Sequence, residues 1–152
     1  MRHRPLPDYE LVSPLGARVE TGSGAARDSQ TKALTAAKAA LDKQAEGVVV
    51  MDLRALSTVT DFFVVCTAAS ARQMAAVKDH IEAALEQQGG RVWHTEGTPA
   101  SLAASSGPHP APQWVLMDCG EIVVHILDQV GRQFYRLEDL WADAPRLSLP
   151  QT

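Results

Sequence analysis

The sequence is poor in the residue types that build disulfide, membrane or metal-bound proteins. Only two of its 152 residues are cysteines, Cys66 and Cys119, and neither has the CxxC or Cys–His spacing of a zinc site. Both end apolar runs, so we interpret them as small buried residues of a reducing compartment. No apolar run approaches the roughly 18 residues of a membrane helix. A cytoplasmic location without a membrane partner is therefore predicted, and Arg2 and Arg4 precede no apolar signal segment.

Signatures of phosphate and nucleic-acid binding are also missing. The chain has no Walker loop and no GxGxxG, and Ala68-Ala69-Ser70 lacks the glycine that would let a backbone cradle a phosphate. The formal net charge is −4, which gives no general attraction for a phosphate backbone. No cofactor and no direct, specific nucleic-acid partner are expected.

The length suits one domain with flanking segments. Residues 1–28 are broken repeatedly by proline and glycine and predict a flexible N-terminal extension. The domain is expected over 29–145, with a short C-terminal tail over 146–152. Residues 98–112 are rich in Ala, Ser, Gly and Pro, which is typical of an exposed loop.

Periodicity predicts an α/β fold. A first helix with an apolar stripe is expected to begin at Ser29 and to end at Gly47. A second helix is expected after Ser70, which would cap it, with Gln73 completing a capping box. The runs VVVMDL (48–53) and FFVVCT (62–67) predict two central strands covered on both faces. A weaker strand follows over 91–96, then a hairpin over 114–127, and a short helix over 137–142 that Pro145 ends. The predicted stripes consist of Leu34, Ala37, Leu41 and Ala45 in the first helix and Met74, Val77, Ile81 and Leu85 in the second. The order predicts a mixed β-sheet of about five strands packed against helices.

The hairpin predicts two unlike faces. With Cys119-Gly120 as a two-residue turn, Asp118 would oppose Glu121 and Trp114 would oppose His125. One face is then uninterruptedly apolar and should meet the main core. That apolar face consists of Val115, Met117, Ile122, Val124 and Ile126. The other face mixes an aromatic ring, aliphatic side chains, acids and an imidazole, and consists of Trp114, Leu116, Asp118, Glu121, Val123 and His125.

Such a mixture favours a protein interface. From Gln113 to Ala144 six acids stand against two bases, a net of −4, which favours a basic partner protein. An exposed Trp among aliphatic residues also predicts a possible homodimer. The alternative is that the C-terminal helix half covers this face, with Trp141 packed on Leu116, and the two interpretations are compatible.

Candidate catalytic residues are few. Asp118 and Glu121 are common turn residues, and Asp61 before a strand is typically a turn-capping residue. His125 lies in an apolar strand without an identifiable nucleophile. We therefore predict a protein that is not an enzyme and has no catalytic, cofactor or metal residues. A metal-dependent nucleotidyltransferase using Asp61, Asp118 and Glu121 is the alternative; an RNA-binding module is disfavoured by the charge.

The motifs taken together resemble the bacterial ribosomal silencing factor family, also called the Iojap family. The resemblance covers about Lys32–Ala144, and its motifs are VVVMDL, TDFFVV, SARQ, Glu96-Gly97, WVLMD, Gly120-Glu121, VVH, Phe134-Tyr135, Leu137-Glu138 and Leu140-Trp141. Glu121 replaces the Asp usual in the family, Cys119 stands where an aromatic is common, and part of 101–112 looks inserted.

The resemblance implies a nucleotidyltransferase-like fold without its catalytic acids. It implies binding to the large ribosomal subunit through a basic protein at the subunit-joining face, large-subunit protein fourteen. Binding there would block joining of the small subunit and repress translation when nutrients are short. It adds Gly120, Tyr135, Glu138 and Trp141 to the residues of the mixed face as expected partner contacts.

Overall fold

A computed structural model describes residues 22–97 and 113–149, with side chains from Asp28 onward. The predicted mixed sheet of five strands is confirmed. In chain order the elements are α1 (Gly22–Asp42), β1 (Glu46–Asp52), β2 (Phe62–Thr67), α2 (Ala71–Gln87), β3 (His94–Glu96), β4 (Trp114–Asp118), β5 (Ile122–Leu127), α3 (Gln129–Tyr135) and α4 (Leu137–Leu140). The predicted loop 98–112 and most of the predicted extension lie outside the described residues. The first helix begins at Gly22, seven positions before the predicted start.

The sheet has the order β1-β2-β5-β4-β3. Strands β2 and β5 pair in parallel, and the other neighbours are antiparallel. The prediction that β1 is central is wrong, since it is an edge strand. Its outer edge is covered instead by the chain after Pro145, where Asp52 N donates to the Pro145 carbonyl (2.7 Å) and Leu147 N to the Val50 carbonyl (2.9 Å). Because the edge of β1 is covered in this way, an apolar run can lie at the edge of the sheet. The covering segment includes part of 146–152, which was predicted as a C-terminal tail.

Helix α1 ends at Asp42 rather than at Gly47, which lies inside β1. The turn after the helix contains Gln44 at φ 62°, and Gly47 has φ 55°. The buried side of α1 is formed by alanines more than by the predicted stripe. Ala37 and Ala45 of that stripe are buried, whereas Leu34 and Leu41 are half-buried. The fully buried alanines of the helix include Ala33, Ala36, Ala37 and Ala40. Small side chains on this side let the helix backbone lie close to its neighbours.

Helix α2 has the predicted N-cap and buried stripe, but only half of the predicted capping box. Ser70 is the N-cap, and its hydroxyl accepts from Gln73 N (3.1 Å). The predicted stripe of Met74, Val77, Ile81 and Leu85 is buried. A capping box would require the side-chain oxygen of Gln73, Oε1, to accept from Ser70 N. Instead Oε1 accepts from Ala69 N (2.6 Å). The side-chain nitrogen of Gln73, Nε2, donates to the Gln44 carbonyl (2.9 Å), so the start of α2 is also bonded to the turn after α1.

The hairpin register differs from the prediction by two residues. Asp118 pairs with Val123 and Trp114 with Leu127. Cys119 N donates to the Ile122 carbonyl (2.9 Å), so the two-residue turn is Gly120-Glu121 rather than Cys119-Gly120. Gly120 has φ 89°, and a side chain there would meet the Trp93 ring at 3.2 Å. A shift of two residues leaves the side chains of the two strands on their predicted faces, because the period of a strand is two; Glu121, which lies in the turn, is the exception.

The two faces of the sheet carry separate apolar clusters. The first, against α1 and α2, includes Val64, Val115, Met117, Val124 and Ile126. The second, on the opposite face, joins β-strand residues to Leu137 and Ala144, with Phe63, Trp114, Tyr135 and Trp141 packed on it. The fold is therefore a sheet between a two-helix layer and a thinner C-terminal layer, α3 and α4. Helix α3 was not predicted, although Asp128 gives it a side-chain N-cap to Gly131 N (2.7 Å). Among the described helices none is long and apolar enough to cross a membrane.

Candidate functional site: the partly covered face of the hairpin

Strand β4 divides its side chains between the two faces as predicted. Val115 and Met117 are fully buried toward α1 and α2. Trp114, Leu116 and Asp118 on the other face are only half-buried. This half-covered strip of β4 lies beside the C-terminal layer. The strip, defined as Trp114, Leu116 and Asp118, is the candidate site.

Trp114 is held in place by two neighbours. Its indole N–H donates to His125 Nδ1 at 3.0 Å. The Tyr135 ring lies 4.4 Å from the Trp114 ring, centroid to centroid. The indole is thus fixed from β5 on one side and from α3 on the other, and a fixed aromatic side chain loses little entropy when a partner binds.

His125 is buried and electrically neutral. It is 3% exposed, and burial lowers the pKa of the imidazole to about 3. Because Nδ1 accepts from the indole, the neutral ring carries its proton on Nε2. Nε2 is buried and has no hydrogen-bond partner within the described part of the chain. The Phe63 ring packs edge-on against the imidazole at 4.4 Å. The imidazole therefore supports Trp114 as a hydrogen-bond acceptor and cannot serve as a general base at neutral pH.

The alternative of a half-covered face is partly correct. The C-terminal layer does pack on this face, but Trp141 contacts Phe63, with ring centroids 5.9 Å apart, whereas it was expected to pack on Leu116. Of the predicted contact residues, Val123 and His125 are buried, and Gly120 is buried against Trp93. Tyr135 and Trp141 are half-buried beside the strip. Trp114, Leu116 and Asp118 are thus partly exposed in this arrangement, whereas Val123 and His125 lie buried beneath them.

Glu121 is engaged with the opposite layer. Lys32 of α1 donates to its carboxylate at 3.0 Å, and α1 packs on the other side of the sheet. The backbone carbonyl of Glu121 also accepts from Asp61 N (2.7 Å) and from the Thr60 hydroxyl (3.0 Å). The strand alternation that grouped Glu121 with Trp114 therefore does not hold in the turn, and Glu121 fastens the hairpin end to α1 and to the start of β2.

The acids of the C-terminal part have structural partners as well. Glu138 forms a two-point ion pair with Arg132, at 2.9 and 2.6 Å, and hydrogen bonding to that guanidinium lowers the pKa of the carboxyl. Arg136 donates to Asp139 (2.7 Å), and Asp118 accepts from Gly120 N (3.0 Å). Ion pairs neutralise Glu138 and Asp139 locally, so the acidity available for steering a partner is smaller than the sequence count indicates.

The acids of the alternative catalytic interpretation do not converge. Within residues 28–97 and 113–149 no group of three or more His, Cys, Asp or Glu side chains is placed to hold a metal ion. Glu121 is paired with Lys32, and burial raises the pKa of both cysteine thiols to about 12, which keeps them protonated. An open cavity of about 350 Å³ lies where β2 ends, lined by Gly47, Thr67, Arg132 and Glu138 among others. Arg132 and Glu138 in its lining already bind each other.

Two features of the site were missed. Phe134 and Leu140, on α3 and α4, are 67% and 72% exposed, which is unusual for large apolar residues. The sequence places both inside the quoted motifs. Phe134 lies on α3, which was not predicted, whereas Leu140 lies in the predicted last helix and its exposure depends on how that helix packs. Arg132 was counted only as a base. Two of its partners, Thr67 and Gly47, lie 65 and 85 positions away in sequence, which no local pattern indicates.

Comparisons with known proteins agree with this fold. The family model described as "Ribosomal silencing factor during starvation" matches residues 26–152. The ribosomal silencing factor of Bacillus subtilis is 34% identical over 75% of this chain and 87% of its own length. The chloroplastic protein Iojap of Zea mays is 32% identical over 78% of this chain and 46% of its own length.

Solved structures give the same result. A crystal structure from Bacillus halodurans superposes with a TM-score of 0.59 and 31% identity, covering 76% of this chain and 94% of that one. A structure from Chromobacterium violaceum, at 24% identity and a TM-score of 0.65, covers 81% of this chain and 92% of its own and shows the shared fold. Since the family model spans most of the chain and the Bacillus subtilis protein exceeds 30% identity, this chain belongs to the ribosomal silencing factor family.

Proposed function

We propose that this protein binds the large ribosomal subunit and represses translation by keeping the subunits apart when nutrients are scarce. Its partner on the subunit is a basic ribosomal protein at the joining face, large-subunit protein fourteen. Family membership supports a role in translational silencing at the ribosome. The proposed action is steric and requires no catalysis, cofactor or metal, and it places the protein in the cytoplasm.

One observation supports this function best. The strip Trp114–Leu116–Asp118 stays half-exposed on a strand whose opposite face, Val115 and Met117, is fully buried. Its Trp is fixed by His125 and Tyr135, as a preorganised anchor should be. Exposed Phe134 and Leu140 extend the apolar area on the adjoining layer. An apolar centre with acids nearby fits a basic partner.

Leu116 offers the cleanest test of the strip. It is half-buried and forms no polar contact, so Leu116→Lys should fold and yet present a positive charge to a basic partner. We expect binding to purified large subunits to weaken at least 30-fold, which corresponds to about 2 kcal/mol. The measurement is co-sedimentation with dissociated large subunits, with the fold checked by circular dichroism.

Val59→Lys is the matched control, since Val59 is an exposed apolar residue of the β1–β2 loop, at 52% exposure. It should bind like the unchanged chain. Loss of binding in both variants would point to a general charge effect. Normal binding by Leu116→Lys would remove the strip from the interface, and failure of the unchanged chain to bind free large subunits would refute the proposed function.

A further inference from the structure

The C-terminal layer has little stability of its own. Helix α3 has seven residues and α4 has four, and isolated helices of this length do not persist in water. Between them Arg136 is held at φ 50°, a left-handed conformation that disfavours any residue with a Cβ. Contacts with the rest of the domain must therefore fix the path of this layer.

Arg132 supplies two of these contacts and also joins the two helices to each other. Its side chain is 16% exposed and reaches three other elements. One guanidinium edge holds Glu138 of α4 through two hydrogen bonds. The remaining donors bind the Thr67 hydroxyl at the end of β2 (2.8 Å) and the Gly47 carbonyl of β1 (2.8 Å). A planar guanidinium suits this arrangement, since its donors diverge from one rigid group.

These contacts bear on the candidate site because both helices carry its aromatic supports. Tyr135, three residues after Arg132, lies against Trp114. Trp141, three residues after Glu138, lies against Phe63, which in turn packs on His125. The Arg132–Glu138 pair thus joins α3, whose Tyr135 ring contacts Trp114 directly, to α4, whose C-cap residue Trp141 reaches His125 only through Phe63.

We infer that Arg132 is a positioning residue of the partner-binding face and that Glu138 serves it as an internal partner and does not contact the ribosome. This inference rests on the proposed function. It changes the expected role of Glu138, whose motif implied a partner contact. It also assigns a role to a residue for which the sequence suggested none.

A double-mutant cycle separates the two roles of Glu138. If the pair acts as one unit, Arg132→Gln and Glu138→Gln should each weaken large-subunit binding about tenfold, and the double variant should be no weaker than either. If Glu138 contacts the ribosome, its substitution should weaken binding further in the Arg132→Gln background. Additive losses would overturn the inference. Arg132→Lys keeps the positive charge but loses the planar guanidinium with its diverging donors. It should therefore restore only part of the binding affinity that Arg132→Gln loses.

The neighbouring pair Arg136–Asp139 is the matched control. It lies in the same C-terminal layer and is also an ion pair, but both side chains are more than 60% exposed. Arg136→Gln should leave binding within about twofold. Equal losses from Arg136→Gln and Arg132→Gln would show a general effect of charge on this layer and would overturn the assignment.

Hydrogen exchange of amides in 129–141 tests the positioning without any partner. Arg132→Gln should speed exchange there selectively, while amides of α2 keep their protection. Unchanged exchange over 129–141 would overturn the inference even if binding fell. If the unchanged chain binds no subunit, the proposed function fails and the role at an interface fails with it. Exchange then still decides whether Arg132 fixes the layer.

Discussion

The hydrogen bond between Trp114 and His125 predicts an asymmetric response to substitution. Trp114→Phe keeps an aromatic ring against Tyr135 but removes the donor to His125 Nδ1, which is 3.0 Å from the indole nitrogen. His125 is buried and its Nε2 already lacks a partner, so both ring nitrogens would then be unsatisfied. An unpaired buried acceptor costs about 1–3 kcal/mol.

His125→Leu should cost less. It removes the unpaired Nε2 together with the acceptor, and the half-exposed indole N–H can turn to water. The double variant should be more stable than Trp114→Phe alone, because both polar partners are then replaced by apolar groups. The expected coupling is about 1–2 kcal/mol.

Thermal and urea unfolding of the four chains measure this cycle. In a domain of this size, each 1 kcal/mol corresponds to about 3–5 °C in Tm, so Trp114→Phe should lower Tm by roughly 6–10 °C for a loss near 2 kcal/mol. Circular dichroism should show the fold retained in all four chains. A Tm for Trp114→Phe equal to that of the unchanged chain, or strictly additive losses, would refute the argument that the indole satisfies a buried acceptor.

Four further predictions concern pH, the hairpin, a glycine and self-association. Burial lowers the pKa of His125 to about 3, so below pH ~6.5 the unfolded chain binds a proton that the folded chain does not bind. The free energy of unfolding should therefore fall by up to about 1.4 kcal/mol per pH unit from about pH 6.5 toward pH 3. His125→Leu should reduce this slope when unfolding by urea is measured at several pH values. Glu121→Gln should change the free energy of unfolding by under about 1 kcal/mol, because the ion pair with Lys32 is partly exposed. The same substitution should slow association with the large subunit in stopped-flow measurements, and only at low salt. An unchanged association rate would exclude a steering role for Glu121. Gly97→Ala should destabilise the β3–β4 pair by more than about 1 kcal/mol, since a Cβ would lie 2.3 Å from the Trp114 carbonyl oxygen and φ is 74°; a Tm within error of the unchanged chain would contradict this steric argument. The half-exposed strip also predicts a homodimer at micromolar concentration, and a strict monomer in light scattering would count against it.

The contacts around Trp114 determine which substitution tests the interface most cleanly. Trp114→Ala removes a partner ring of Tyr135 as well as the anchor, so its effect on binding combines lost contact with lost packing. Leu116 has no such second role, which is why it carries the test of the interface. Comparing the two substitutions at equal stability would show how much of the affinity comes from the preorganised ring.

The sequence alone determined the features that depend on local periodicity. The strand 62–67 follows from a short, continuous apolar run, and the Ser70 cap and the buried stripe of α2 follow from spacings of three and four residues; the structure has all three. The sorting of hairpin side chains onto two faces also followed from alternation, and it survived a register error because that error was two residues. The family motifs are likewise a property of sequence.

Tertiary structure decided which distant residues meet. The turn is Gly120-Glu121 because Gly120 adopts a positive φ against Trp93, and Glu121 faces α1 because Lys32, 89 positions away, reaches it. The edge of β1 is covered by a segment that looked like a tail. Arg132 finds Thr67 and Gly47 only after β1, β2 and α3 have come together. Periodicity fixes the face on which a side chain lies, but the identity of its neighbours depends on how elements far apart in the chain pack, which local spacing does not encode.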